Sequence, residues 1–253
     1  MKKLSYDKMK KKFNLGYLDL LKGNPCPGYW QLPYFLCTAK TYPDYIALYS
    51  QPGDYTHTQN TAVSFAQYDD VIDGLEGLFN AIKYNLQKKL DEYKLRFKDV
   101  PYIIIPDYSQ FADGPRWVNA ENLGKGRIVG LWFQRVMRKI VIPLITFPSK
   151  EWFDEVLIGL KDCSVVAFNT KCYVQNPKEW PILQEAVKQT VDTLSNLKVI
   201  VVYDVCKDNN AVNQLFFYAT QKGIKIVVPD NALKTRNRIN AEKRRLKHES
   251  FLR

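Results

Sequence analysis

Residues 102–115 read Tyr102-Ile103-Ile104-Ile105-Pro106-Asp107-Tyr108-Ser109-Gln110-Phe111-Ala112-Asp113-Gly114-Pro115. The apolar run stops at a proline, which cannot donate to a strand ladder. A run without polar alternation is the pattern of a strand covered on both faces. Asp107, Ser109 and Asp113 are therefore delivered into a loop, and Arg116 to Val136 reads as the helix that follows.

The same layout recurs on both sides. Thr61 to Ala66, Lys139 to Thr146, Ser164 to Phe168, Lys198 to Tyr203 and Ile224 to Val228 are short apolar runs, and Tyr45 to Tyr49 is a further short strand. Helical stretches lie between them. Asp69 to Lys94 places Val71, Leu75, Leu78, Phe79, Ile82, Leu86 and Leu90 near a 3.6-residue period, which predicts one long helix. Ser149 is an N-cap candidate for a helix through Leu160, Asn176-Pro177 opens one through Leu194, and Asn210 to Lys222 ends at Gly223. Strands alternating with helices predict an α/β fold with a mainly parallel sheet of about six βα units. The architecture is an irregular or incomplete TIM-like barrel or, alternatively, an open doubly wound sheet.

Composition divides the chain into three parts. Residues 1–60 are rich in Pro, Gly and aromatics, including Trp30, Tyr34, Phe35 and Tyr42, and are expected to pack as a cover on the body; a short helix is expected within Tyr6 to Leu21. Residues 61–230 are the α/β domain. Residues 231–253 form a basic tail, helical at its start. The net charge of +11 sits at the two ends. Six lysines against Asp7 in residues 1–13 give +5, and eight Lys and Arg against Glu242 and Glu249 in the tail give +6. A neutral body with basic arms suits a polyanion, and so DNA or RNA.

No apolar run nears the roughly 20 residues that span a bilayer. No hydrophobic segment follows the basic start, so a cytoplasmic protein without a membrane partner is expected. The five cysteines form no Cys-x-x-Cys pair, which disfavours a zinc site or a disulfide framework. With only His57 and His248, and no Gly-x-Ser-x-Gly, a histidine-based triad or an HExxH site is excluded.

In a parallel α/β fold the chemistry collects beyond the carboxyl ends of the strands. Those positions hold Tyr68-Asp69-Asp70, Asp107-Tyr108-Ser109, Thr146-Phe147, Asn169-Thr170, Tyr203-Asp204 and Asp230. Asp107, Asp113 and Asp204 are the candidate catalytic acids. Asp69, Asp107 and Asp113 are the candidate ligands of Mg2+ or Mn2+, hard cations that prefer oxygen and can activate water against a phosphodiester. Asp, Asn and Ser after a strand are equally the usual caps and turn formers. Ser109, Asn122, Lys125, Arg127, Trp132 and Asn169 are candidate binding residues on the same rim, with Lys243, Arg244 and Arg245 in the tail. Gly124-Lys125-Gly126-Arg127 lacks the spacing of a phosphate loop and lies in a helix. Arg127 has a structural alternative, pairing with Asp107 or Asp113. Trp117 and Trp132 are read either as core residues or as stacking platforms.

Pro106-Asp107-Tyr108-Ser109, Asp113-x-Pro115, Asn122, Arg127, Gly130, Trp132 and Gln134 together resemble the family known as domain of unknown function 4417, with the similarity running loosely from Thr61 to Asp204. Lys125, Leu144 and Asp204 depart from its pattern. The family is found largely in phages, prophages and plasmids of Gram-positive bacteria, so the resemblance implies a mobile-element origin without an activity. Three functions are consistent with the sequence: a nucleic-acid-associated protein gripping phosphates through its basic termini, a metal-dependent phosphodiester hydrolase, and a non-catalytic protein acting on a host protein through its aromatic first segment.

Overall fold

The computed structural model describes residues 5–251 apart from 68, 75, 172, 175 and 207. Tyr68, Cys172, the lysines at 2 and 3, and Arg253 therefore lie outside the described residues. The chain opens with α1 (Tyr6–Phe13) and α2 (Tyr17–Leu21), separated where Asn14 turns left-handed at φ 51°. β1 (Tyr45–Leu48) and β2 (Thr61–Ser64) follow. The single long helix expected over 69–94 is instead three pieces, α3 (Asp69–Ile72), α4 (Leu78–Lys83) and α5 (Gln87–Arg96). Backbone shape overrides the apolar period there. A Cβ at Gly77 would meet Asp73 Oδ1 at 1.9 Å, so the bend needs glycine, and Asn85 takes φ 52° at the second break.

β3 (Tyr102–Ile104) leads to α6 (Arg116–Arg135), as expected. β4 (Ile140–Ile142), a 3-10 turn over Lys150–Trp152 and α7 (Phe153–Leu157) come next. Ser149 makes no capping bond to the helix backbone; its hydroxyl donates to the Glu151 carboxylate. β5 (Val165–Asn169), α8 (Trp180–Thr193), β6 (Val199–Tyr203), α9 (Asn210–Leu215), α10 (Phe217–Gln221), β7 (Lys225–Val227) and α11 (Ala232–Phe251) complete the chain.

Every strand pair is parallel. β1-β2-β3-β4 form one sheet and β5-β6-β7 a second, both in chain order. The ladders do not run on into a closed barrel. Single bridges join the sheets at both seams, Leu144 to Ala167 between β4 and β5, and Tyr45 to Asp230 between β1 and the end of β7. The α/β class with parallel sheets follows from this arrangement, which is open and not a closed barrel. β1 to β3, β6 and nearly all of β5 are buried, as unbroken apolar runs require when helices cover one face and the core fills the other.

The first segment is tied into this core. Phe35 is fully buried, and its N–H donates to the Gly159 carbonyl at 2.9 Å. A Cβ at Gly130 would stand 2.8 Å from both Phe35 and Ile105, so glycine allows α6 to lie close to the end of β3. That close approach holds the middle of α6 beside the strand-end rim. Among the described residues no helix is long and apolar enough to cross a membrane.

Candidate functional site

The strand-end side carries two separate polar clusters, one for each sheet. The first stands beyond β2, β3 and β4. Asp69 opens α3 and accepts from Ser109 twice, from its N–H at 3.0 Å and from its hydroxyl at 3.1 Å. Asn122, buried in α6, donates to the Ser109 carbonyl at 2.5 Å. Asn119, also in α6, closes a two-way clasp on the Phe111 backbone, accepting at 2.9 Å and donating at 2.8 Å. The loop after β3 is thereby fixed by side chains from α3 and α6.

Asp107 sits inside this frame. Its carboxyl is pushed up to about 7, chiefly by removal from water, with the nearby Asp69 charge adding to the rise. The Thr146 hydroxyl bonds to it and pulls the other way, and Thr146 in turn accepts from Gln110 Nε2 at 2.9 Å. The unfolded chain releases this proton in the ordinary carboxylate range, the folded chain near 7. Between those values the folded state holds the extra proton, so its stability falls as pH rises. Asp107 keeps some contact with solvent, which discounts the full effect to about 1–2 kcal/mol. Asp107→Asn is expected to raise stability by that amount at pH 8 and to flatten the pH 4–7 decline, as read by urea unfolding at several pH values.

The second cluster stands beyond β5, β6 and β7. Asp204 is 0% exposed. It accepts from the Thr170 hydroxyl at 2.8 Å and from the Cys206 N–H at 3.2 Å. Lys234, in the first turn of α11, is 4% exposed and places Nζ 3.9 Å from Asp204 and 2.6 Å from Asn209 Oδ1. Burial lowers the Lys234 pKa, and the charges of Asp204 and Asp230 resist that shift. Asn231 and Asn237 add bonds from the tail to the carbonyls of Asp204 and Val205, both at 2.7 Å. The start of the basic tail is thus an integral part of the rim.

The candidate residues of the sequence fall into place as follows. Asp69, Asp107, Ser109 and Asn122 come together. Asp113 lies on the exposed outer part of its loop, and Asp204 belongs to the other cluster, where Lys234 neutralises it. Among the described residues no three His, Cys, Asp or Glu side chains stand close enough to hold a metal ion. Lys125 pairs with Glu121 at 3.2 Å and reaches Asn122 at 3.3 Å. Arg127 does not pair with Asp107 or Asp113; it is buried and donates to the Pro33 and Val156 carbonyls. Trp132 is core, packed edge-on to Phe133. Asn169 accepts from the Lys171 N–H at 2.9 Å and serves a turn. Lys243, Arg244 and Arg245 lie on the exposed length of α11. Burial pushes the Cys37 and Cys163 thiols up to about 11 and 12, so both are idle core residues.

The model of the family named domain of unknown function (DUF4417) matches residues 25–219. The chain belongs to this family. The DUF4417 match takes in β1 to β6 and both rim clusters up to Asn209, and it stops before Lys234 and the rest of α11. No curated protein and no solved structure matches the chain. Sequence reasoning missed Lys234, Asn231 and Asn237 as rim residues. Their spacing of three, which puts them along one side of a helix, was the available signal.

Proposed function

We propose that the chain binds polynucleotides and that α11 is its main phosphate contact. The observation that carries this reading is the attachment of α11. Its start is anchored at the strand-end rim by Asn231, Lys234 and Asn237, and nearly all residues from Arg238 to Leu246 are exposed. A helix of 20 residues extends about 30 Å. Along it Arg236, Lys243 and Arg244 are exposed, while Arg238 pairs with Asp230 at the base. Cations spaced along a rigid rod beside a rim suit a phosphate backbone better than they suit a small anion. A mobile-element setting, implied by the family resemblance, agrees with a chain that handles nucleic acid.

Titration of a labelled oligonucleotide at several salt concentrations tests the reading. Affinity is expected to fall steeply with salt. Replacing Arg236, Lys243 and Arg244 by Gln is expected to lower the slope of log K against log salt by about 2–3. Binding with an unchanged slope in that variant would remove α11 from the interface.

A metal-dependent phosphodiester hydrolase is the second reading, favoured by the Asp69 charge lying near enough to Asp107 to raise its pKa. Mg2+ commonly takes only one or two protein carboxylates and completes its shell with water and substrate phosphate. These two acids would hold Mg2+ or Mn2+, which would activate water beside a bound phosphodiester. Adding either ion to the same titration tests it, through cleavage that Asp107→Asn abolishes.

A further inference from the structure

The two sheets leave a gap at the amino ends of β4 and β5. One bridge, Leu144 to Ala167, joins these strands near the end of β4. Before that bridge, the extended stretch 35–40 lines only the β5 side. The Phe35 N–H donates to the Gly159 carbonyl, and the Cys37 carbonyl accepts from the Ser164 N–H at 2.8 Å. These are odd-numbered residues, so Leu36 and Thr38 turn their backbone groups to the other edge. Gln134 Nε2 donates to the Leu36 carbonyl at 2.8 Å. The Leu36 N–H and both backbone groups of Thr38 have no partner among the described residues.

That edge borders an open groove of about 660 Å³, lined also by Leu131, Ile140 and Val141. The far wall is β4. The Ile140 N–H donates to the Pro101 carbonyl and the Ile142 carbonyl accepts from the Ile105 N–H, so Val141 points its N–H and C=O away from β3 and toward the groove. Two strand edges thus flank one slot. Five residues, 36–40, span about 16 Å of it at the rise of a strand.

The charge of the slot is one-sided. Lys40, Arg135 and Lys139 line it, and no Asp or Glu does among the described residues. Arg135 donates to the Leu20 carbonyl and to Asn24 Oδ1, and Lys139 donates to the Lys98 carbonyl at 2.6 Å. Both cations are therefore held in place by neutral oxygens. The nearest acids stand outside the lining: Asp99 acts on the Lys139 charge from a distance, and Asp162 accepts from the Tyr34 hydroxyl. Lys40 is exposed and makes no ion pair.

We infer that this groove takes an extended, acidic segment of a partner protein as an added strand between residues 36–40 and β4. Added strands gain affinity from main-chain hydrogen bonds and specificity from alternate side chains. A polypeptide repeats N–H and C=O groups at the spacing that the two edges offer, whereas a phosphate backbone does not. Acidic side chains supply the countercharge that the three cations lack. The chain's own ends are strongly basic and do not qualify as the occupant. The site is separate from α11 and does not depend on the polynucleotide reading.

The test pans random octapeptides displayed on phage against the full chain. The binders are expected to be rich in Asp and Glu, and one is synthesised and its affinity read by fluorescence anisotropy. Lys40→Glu leaves the fold intact, as unchanged thermal melting checks, and is expected to weaken that peptide about tenfold or more through like-charge contact. Methylating the peptide's backbone nitrogens at alternate residues removes donors without touching charge, and is expected to weaken it comparably. A selection without acidic binders, a peptide indifferent to Lys40→Glu, or one that keeps full affinity when methylated overturns the inference. Self-association of the wild-type chain in sedimentation that Lys40→Glu abolishes would make a second copy the occupant and also overturns it. Binding of decanoate where no peptide binds would assign the groove to a small amphiphilic anion instead.

Discussion

Asp204→Ala is expected to destabilise the chain by about 3–5 kcal/mol, and to loosen the start of α11 from the rim. The size follows from what the change leaves behind. Lys234 is buried, and beyond Asp204 its ammonium bonds to Asn209 Oδ1 at 2.6 Å. Removing the carboxylate leaves that cation with much weaker compensation for its lost water. The Thr170 hydroxyl and the Cys206 N–H lose their acceptor in the same step. At 3.9 Å the Asp204–Lys234 contact is a charge interaction more than a hydrogen bond, so Asp204→Asn, which keeps one acceptor oxygen in place of two, loses most of the pairing.

A second substitution separates burial from pairing. Asp204→Ala with Lys234→Met removes both charges and is expected to recover part of the loss, because an uncharged pair costs no desolvation. Chemical unfolding of the two single variants and the double variant measures this coupling. The same variants connect stability to function. α11 keeps its exposed charges in Asp204→Ala, so a loss of oligonucleotide affinity there reports the geometry of attachment and not the charge count. Wild-type affinity in a folded Asp204→Ala protein would show that the rim does not need to hold the helix.

The strands are legible because each buried run is continuous, and from β3 onward each is closed by Pro, Asp or Asn. Residues 102–106 alone implied a covered parallel strand, and β3 lies between β2 and β4 in parallel register. The division of 69–94 into three helices was not legible from apolar period, since Gly74, Gly77 and Asn85 act through backbone geometry. At the rim, the layout itself brings Asp69, Asp107 and Ser109 beside Asn122 of α6, whereas Asp113 and Arg127, expected with Asp107, lie on the exposed loop and in the core. Asp204 falls in the other cluster, a split hidden from view because the sequence does not show where one sheet ends and the next begins. Lys234 was hidden among the tail's other cations. Trp117 and Trp132 differ by close to four helical turns and so share a face of α6. Their fates diverge because the buried part of the helix begins near Asn119, leaving the first turn beyond the core.

Arg127 shows how chemistry read from residue type alone can reverse once burial is known. A cation above an acidic rim suggests an anion ligand or a salt bridge. The side chain is instead 2% exposed, with Nη1 donating to the Pro33 carbonyl at 3.1 Å and Nη2 to the Val156 carbonyl at 2.7 Å. Val156 lies in the last turn of α7, where carbonyls lack helical partners and the helix dipole is negative. The guanidinium therefore closes the end of α7 and ties the first segment to it. Burial lowers its pKa to about 10, still far above neutrality, so it works as a cation. Arg127→Ala strips two buried carbonyls of their donor and opens a cavity, for an expected loss of about 3–5 kcal/mol. Arg127→Lys is expected to lose most of this too, since one ammonium cannot reproduce a fork spanning two acceptors. Arg127→Met, similar in length and free of charge, avoids the desolvation cost and falls between wild type and Ala. Thermal unfolding ranks the series. The contrast with a ligand-binding role is then direct: a binding arginine replaced by Met would cost affinity and spare stability, whereas here stability falls and the oligonucleotide affinity of the folded protein is kept.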